Sequence, residues 1–224
     1  VCAAYEQTGG NIIINRQATT DRSMRVTGDA AISGGVLYLK YNASSNSLTS
    51  LGNLSVAGNV YFTGGTMTND AASGQTVSTV SPQLIFNGTA AQVFFKSSDA
   101  TFGSPQNKID VVVNSTAGVT LSNSINVYGV LQFQKGNLIL GENNLTLYNP
   151  VTGTPSTTSH IVTNGTGRVN TTLSSGTFLF PIGADNTRYT PVTLTNNTGG
   201  VAQQYAVNVA TVGTFGLFYA YQWN

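Results

Sequence analysis

The sequence predicts an all-β chain, folded as a right-handed parallel β-helix (a three-sided solenoid) with a C-terminal β-sheet or capping segment. Three observations predict it. A twelve-residue pattern occurs three times, short apolar i, i+2 pairs follow one another at steps of six or seven residues, and glycine or asparagine stands between the pairs.

The pattern reads VTGDAAISGGVL over residues 26–37, VAGNVYFTGGTM over 56–67 and VYGVLQFQKGNL over 127–138. Each copy has Val first, Gly third, Ile or Phe seventh, Gly tenth and Leu or Met last. Self-similarity at tens of residues marks stacked supersecondary units, each too small to bury its apolar face alone. The expectation is that the Val and the Phe or Leu point inward in every copy, while the glycines turn the same corner.

Residues 118–150, GVTLSNSINVYGVLQFQKGNLILGENNLTLYNP, carry the pairs most clearly: Val119/Leu121, Ile125/Val127, Leu131/Phe133, Leu138/Leu140 and Leu145/Leu147. Side chains alternate faces along a strand, so each pair marks a very short strand showing two residues to one side. Gly129, Gly136, Gly141 and Asn143-Asn144 lie between the pairs, and these residue types accept left-handed backbone at tight corners. Three strands and corners use the 20 residues from Ile125 to Leu145, one circuit of a three-sided coil. An antiparallel sandwich asks for strands of about five or six residues joined by hairpins, and no Asn-Gly hairpin signal recurs between these pairs. Circuits of about 20 to 24 residues, stacked about 4.8 Å apart, predict ten levels and a length of about 45 Å.

Upstream, residues 84–86, 93–95 and 109–113 read as strands. Downstream, PVTGTPSTTSH from residue 150 is a turn-rich connection, and the strand runs lengthen over 189–195 and 204–212. Pro181 and Pro191 belong at strand starts, edges or bulges. The predicted division is therefore a parallel β-helix over 1–175 and a C-terminal β segment over 176–224. LFYAYQWN breaks off within an alternating apolar pattern, and the chain is expected to continue in a longer parent.

Only 8% of the residues are charged and the net charge is +1. That excludes the basic footprint of a nucleic-acid or anionic-membrane binder. No apolar run approaches the roughly 20 residues of a membrane span, and no charged n-region followed by an apolar stretch opens the chain. The 40% hydrophobic content argues against a disordered linker. The single cysteine, Cys2, allows no internal disulfide; it is a thiol without function or a bridge to something outside this chain.

The succession LIFNGTAAQ (84–92), GVTLSNSINVYGVLQFQKGNLILGENNLTL (118–147), HIVTNGTGRV (160–169), FLFPIG (178–183) and YTPVTLTN (189–196) resembles the repeat region of large secreted surface proteins of the Bacteroidota. The likeness covers residues 83–196, about half the chain. It implies an extracellular, cell-surface location, export by the type IX secretion system and a structural or adhesive role. It implies no catalytic residues.

The acids are Glu6, Asp21, Asp29, Asp70, Asp99, Asp110, Glu142 and Asp185. Glycoside hydrolysis needs two carboxyl groups converging on one bond, and none of these forms a close pair in sequence. Coils can bring Asp99 or Asp110 near Glu142 or Asp29, and Lys108 lies two residues from Asp110 as a candidate charge partner. The plainer reading of Lys108 and Asp110 is a surface ion pair at a strand start. His160 is the only histidine and reads as a polar turn residue, with no nucleophile elbow beside it. Calcium held by Asp185 and carbonyl oxygens is an alternative at the turns. Asn-x-Ser/Thr sequons at Asn42, Asn53, Asn87, Asn114, Asn144, Asn164, Asn170 and Asn196 read as turn and ladder residues. Phe215, Phe218, Tyr219, Tyr221 and Trp223 read as a sugar-stacking platform, whereas the alternation of Phe215, Leu217, Tyr219, Tyr221 and Trp223 fits one strand face packed on a core.

No catalytic, cofactor-binding or metal-binding residue is assigned, and no cofactor. The expectation is a non-enzymatic extracellular module of a bacterial surface protein, a rigid spacer or adhesin segment. The alternative is a carbohydrate-binding or polysaccharide-degrading β-helix using Asp110. The expected partner is an unknown surface or glycan ligand, with self-assembly or neighbouring domains of the parent chain, and with neither nucleic acid nor membrane insertion.

Overall fold

The computed structural model describes residues 1–16, 20–42, 49–73, 75–197, 201–211 and 218–222, the last segment as backbone only. These residues form 23 strands and no helix. The strands join in mostly parallel sheets, and the antiparallel ladders are confined to the C-terminal part.

From residue 22 onward the chain visits three sheets in rotation. The first sheet stacks Arg22–Val26, Gly52–Val56, Gln83–Phe86, Asp110–Asn114, Leu131–Lys135 and Thr152–Gly153. After each of these comes a strand or strand segment of the second sheet: Ala30–Asn42, Val60–Phe62, Gln92–Lys96, Val119–Leu121, Leu138–Ile139 and Ile161–Val162, with Ile182–Gly183 beyond them. Third in turn come Ile125–Val127, Leu145–Leu147 and Val169–Leu173. In the earlier circuits the third turn is taken by Thr66–Ala71, laid along the 36–42 half of Ala30–Asn42, and by Thr101–Phe102, laid in turn on Thr66 and Met67.

The partner of Ile125 is Leu145, the 20-residue interval legible in the sequence. The first circuits are longer, with cross-circuit bonds spanning 30 and 34 residues. The extra residues fall after 42 and after 71, on the way back to the first sheet. Counting Tyr5–Arg16, the second sheet therefore stacks eight levels instead of the expected ten.

The interior consists of columns of like side chains, one residue per level. Met24, Leu54, Leu84, Val111 and Leu131 form one column of the first sheet, and Val26, Val56, Phe86, Val113 and Phe133 form the next. All but the partly buried Met24 lie in the buried core. Phe86, Phe94 and Phe102 come from three successive strands of one circuit and meet inside, with ring centroids 5.3 and 5.6 Å apart. A parallel ladder repeats the same inward position at every level, so one residue choice sets the packing of a whole column.

The repeat is explained by the same geometry, with one correction. Its Val, Ile or Phe, and Leu or Met positions are all buried. Copies 26–37 and 56–67 lie directly on one another, with Val26 paired to Val56, Ile32 to Phe62 and Leu37 to Met67. The third copy is rotated by one side: Val127 lies in the third sheet and Phe133 in the first, where its column partner is Val113. Its glycines therefore turn different corners, because 71 residues is not a whole number of these circuits. The pattern encodes strand, corner, strand, corner, strand, and any side of the coil can use it.

The two glycines of the pattern serve different ends. Gly35, Gly65 and Gly136 have φ of 74°, 76° and 77°, where a side chain is strained. Gly28, Gly58 and Gly129 are not left-handed; there a Cβ would run into a carbonyl of the adjoining level, that of Ala3, Gly28 or Ile109.

Lys40 is fully buried, with Nζ donating to Ser50 Oγ at 2.7 Å. A register shift between Tyr38 and Lys40 breaks the alternation, so Leu39 and Lys40 both face inward. Burial lowers the Lys40 pKa, and the charge of Asp21 acts the other way.

At the C-terminal end Val169–Leu173 pairs parallel with Leu145–Leu147 and antiparallel with Gln203–Val209. Gly176–Phe180 pairs antiparallel with Val192–Asn196. The run expected to start at Tyr189 begins only at Val192, since Pro191 has no N–H to give a ladder. Val212, Phe215, Leu217 and Trp223 lie outside the described residues, as do the side chains of Phe218, Tyr219 and Tyr221.

Candidate functional site

Of the acids named by sequence, Glu6 and Asp70 lie within strands, whereas Asp21, Asp29 and Asp110 stand just before or at a strand start and hold backbone of the next circuit. Asp21 Oδ1 accepts the Leu51 N–H at 2.8 Å, Asp29 Oδ1 the Asn59 N–H at 2.7 Å, and Asp110 Oδ1 the Val130 N–H at 2.7 Å. Asn53, Asn59, Asn137 and Asn144 do the same for Gln83, Val93, His160 and Arg168. At each corner the strand ladder lapses, and a short polar side chain supplies the missing acceptor. This accounts for the ladder role expected of Asn53 and Asn144. The inward Gln92 bonds to the Gly88 N–H and to the carbonyls of Val56 and Gly58.

Asp110 and Glu142 belong to different corners. Asp110 opens a first-sheet strand, whereas exposed Glu142 lies between Leu138–Ile139 and Leu145–Leu147, the corner from second to third sheet. Exposed Lys108 acts on Asp110 through its charge. Burial pushes the Asp110 carboxyl up, against the pull of the Val130 N–H, the Ser81 hydroxyl and Lys108. Because the folded pKa is raised, this group's contribution is fully present below the unfolded pKa and is lost as pH rises through the folded value. Asp110→Asn keeps an acceptor for Val130 and is expected to remove that pH-dependent loss. Asp110→Ala leaves the Val130 N–H without its acceptor and is expected to cost about 1–2 kcal/mol. Urea titrations of both variants between about pH 3 and 7 check this.

His160 sits at a bend but is fully buried. Its Nδ1 lies 2.9 Å from Ser156 O and its Nε2 2.9 Å from Asp185 O. A carbonyl only accepts, so the neutral ring satisfies one of the two and the doubly protonated ring both. Asp185 Oδ1 takes the N–H groups of Thr187 and Arg188 and the Thr187 hydroxyl, and Oδ2 lies 3.2 Å from Arg188 Nε. The Thr187 bonds foremost hold its carboxyl below the usual range. Among the described residues no group of three or more His, Cys, Asp or Glu is placed to hold a metal ion. The Cys2 thiol is free, and its backbone bridges to Val26.

The outer face of the third sheet carries a different arrangement. Ile125, Val127, Leu145, Leu147 and Val169 turn inward, so Asn126, Thr146 and Asn170 turn outward in register. Tyr128 and Tyr148 follow the last inward residue of their strands, and their rings stack with centroids 4.5 Å apart and planes at 26°. Asn149 fixes this corner by donating to Tyr128 O and Gly129 O at 2.7 and 3.1 Å. Burial, and then Tyr128 beside it, raises the Tyr148 phenol pKa. The stacked pair separates two open hollows. The first, of about 430 Å³, lies on the Tyr148 side with Asn170, Thr172, Gln204 and Tyr205; the second, of about 380 Å³, lies on the Tyr128 side with Asn126 and Lys96. No catalytic or ligand-binding motif marks these tyrosines in the sequence; their only signal is a Tyr after an inward pair, repeated one circuit later.

No helix of the described residues is long and apolar enough to cross a membrane. Comparison with known proteins returns no match, whether to a family model, a curated protein or a solved structure.

Proposed function

We propose that the chain is a right-handed, three-sided parallel β-helix that serves as a non-enzymatic extracellular module of a bacterial surface protein, a rigid spacer or adhesin segment. The observation that carries this reading is the unbroken path of parallel pairings from Tyr5–Arg16 to Ile182–Gly183. Each level is bonded along its edge to the next, and the corner acids and amides extend that bonding where the strands lapse. Such a stack resists shear between levels because many hydrogen bonds must yield together. Asp21, Asp29 and Asp110 are engaged in this bonding, which supports a structural use of the acids over a catalytic one. The low charge suits a surface that stays hydrated without attracting ions or nucleic acid.

The test is antibody labelling of intact cells of the source organism. Labelling of unpermeabilised cells is expected, and labelling only after permeabilisation would overturn the surface assignment.

A further inference from the structure

We propose that the outer face of the third sheet binds a neutral saccharide chain, seated against Tyr148 and running across the strands. This goes beyond the surface-module reading and does not depend on it.

Tyr148 is the most exposed aromatic side chain of the described residues, at 51%. One face of its ring is covered by Tyr128, and the stacked pair is the wall between the two hollows. The stack holds the ring upright without burying it, so its remaining face and edge are presented to the first hollow. A sugar ring has an apolar C–H face that packs on such a surface and a rim of hydroxyls that needs donors and acceptors. The first hollow supplies both, with Tyr205 beyond Tyr148 and with Thr146, Asn170, Thr172 and Gln204 between and around them.

The chemistry of the lining selects the class of ligand. Every residue lining that hollow is uncharged, so an anionic or cationic ligand would give up hydration with nothing to pair with it. A purely apolar ligand would leave the amides and hydroxyls unsatisfied. Outward Thr146 and Asn170, both lining this hollow, stand in register on successive strands, about 4.8 Å apart, close to the length of one pyranose unit. A saccharide lying along the stack therefore meets one hydrogen-bonding side chain for each sugar.

Titration calorimetry of the whole chain with cellohexaose, xylohexaose, mannohexaose and maltohexaose tests the proposal, with polygalacturonate as the charged comparison. At least one neutral oligosaccharide is expected to bind. Tyr148→Ala is expected to weaken that binding about tenfold or more, Tyr148→Phe to preserve most of it, and Asn170→Ala to weaken it severalfold. Tyr148 lies outside the core, so the melting temperature should change little; should Tyr148→Ala fail to fold, Tyr148→Phe and Asn170→Ala still decide. Absence of binding to all four at millimolar concentration, binding indifferent to both alanine variants, or tighter binding of polygalacturonate would overturn the proposal. Surface labelling without sugar binding defeats this inference alone, and sugar binding by a protein not displayed at the surface defeats only the other.

Discussion

Phe133→Ala is expected to lower the unfolding free energy by about 3–5 kcal/mol. The side chain is 1% exposed and belongs to the inward column that continues through Val113, Phe86 and Val56. On its other side the paired residue is Gly153, which has no side chain to move into the space. Relaxation is further restricted because the backbone at both levels is tied by parallel ladders, so most of the cavity should persist and the cost should fall in the upper part of the range. Phe133→Leu keeps most of the volume and is expected to cost under about 1.5 kcal/mol. Urea unfolding with an unchanged slope separates the two variants, and a loss below about 1 kcal/mol for the alanine variant would mean that the column is not packed as described.

Gly136→Ala is expected to cost at least about 3 kcal/mol, more than its size suggests. Two penalties coincide at this corner. The backbone has φ of 77°, which costs an L-residue about 1–2 kcal/mol, and the added Cβ would overlap the carbonyl oxygen of Ser115 on the adjoining level. Ser115 cannot retreat freely, since its own N–H is bonded to Lys135 O at 3.1 Å. Gly141→Ala separates the two effects: φ there is 59° but nothing lies within 4 Å of the new carbon, so only about 1–2 kcal/mol should be lost. Equal losses at the two sites in thermal or urea unfolding would remove the close contact from the explanation.

These two variants also measure how much of the molecule is legible from its sequence. The i, i+2 pairs of 118–150 mark short strands, Leu140 alone falling just past the end of its strand, because a strand with one face on the core and the other turned out must show apolar residues at alternate positions. The interval from Ile125 to Leu145 likewise gives the pairing partner without reference to anything distant. Gly136 and Gly141 were identifiable as corner residues. That Gly136 also lies against Ser115 was not, because the conflict is with a residue of another level.

The candidate site was less legible. Asp110 stands out in the sequence as a rare acid near a lysine, but rarity says nothing about which backbone N–H a carboxylate meets. Its partner, Val130, is a full circuit away. Tyr128 and Tyr148 look like ordinary residues at strand ends, and only superposition of two circuits turns them into a stacked pair beside a hollow. His160 reads as a polar turn residue because the residues before it, Ser156 to Ser159, are polar; the carbonyls that enclose its ring come from Ser156 and, across a circuit, from Asp185.

What the sequence alone determined is local: all-β character, strand length, corner positions and the inward face of each pair, since alternation and glycine placement act within a few residues. What only the tertiary structure decided is the relation between levels. The third copy of the repeat is rotated by one side, starting on the third sheet instead of the first, Lys40 turns inward at a bulge, and the corner acids are bonded to the next circuit. Those outcomes depend on how many residues the intervening connections use. Changing a connection by a few residues alters which side chains come to lie above one another while leaving the pattern within each strand untouched.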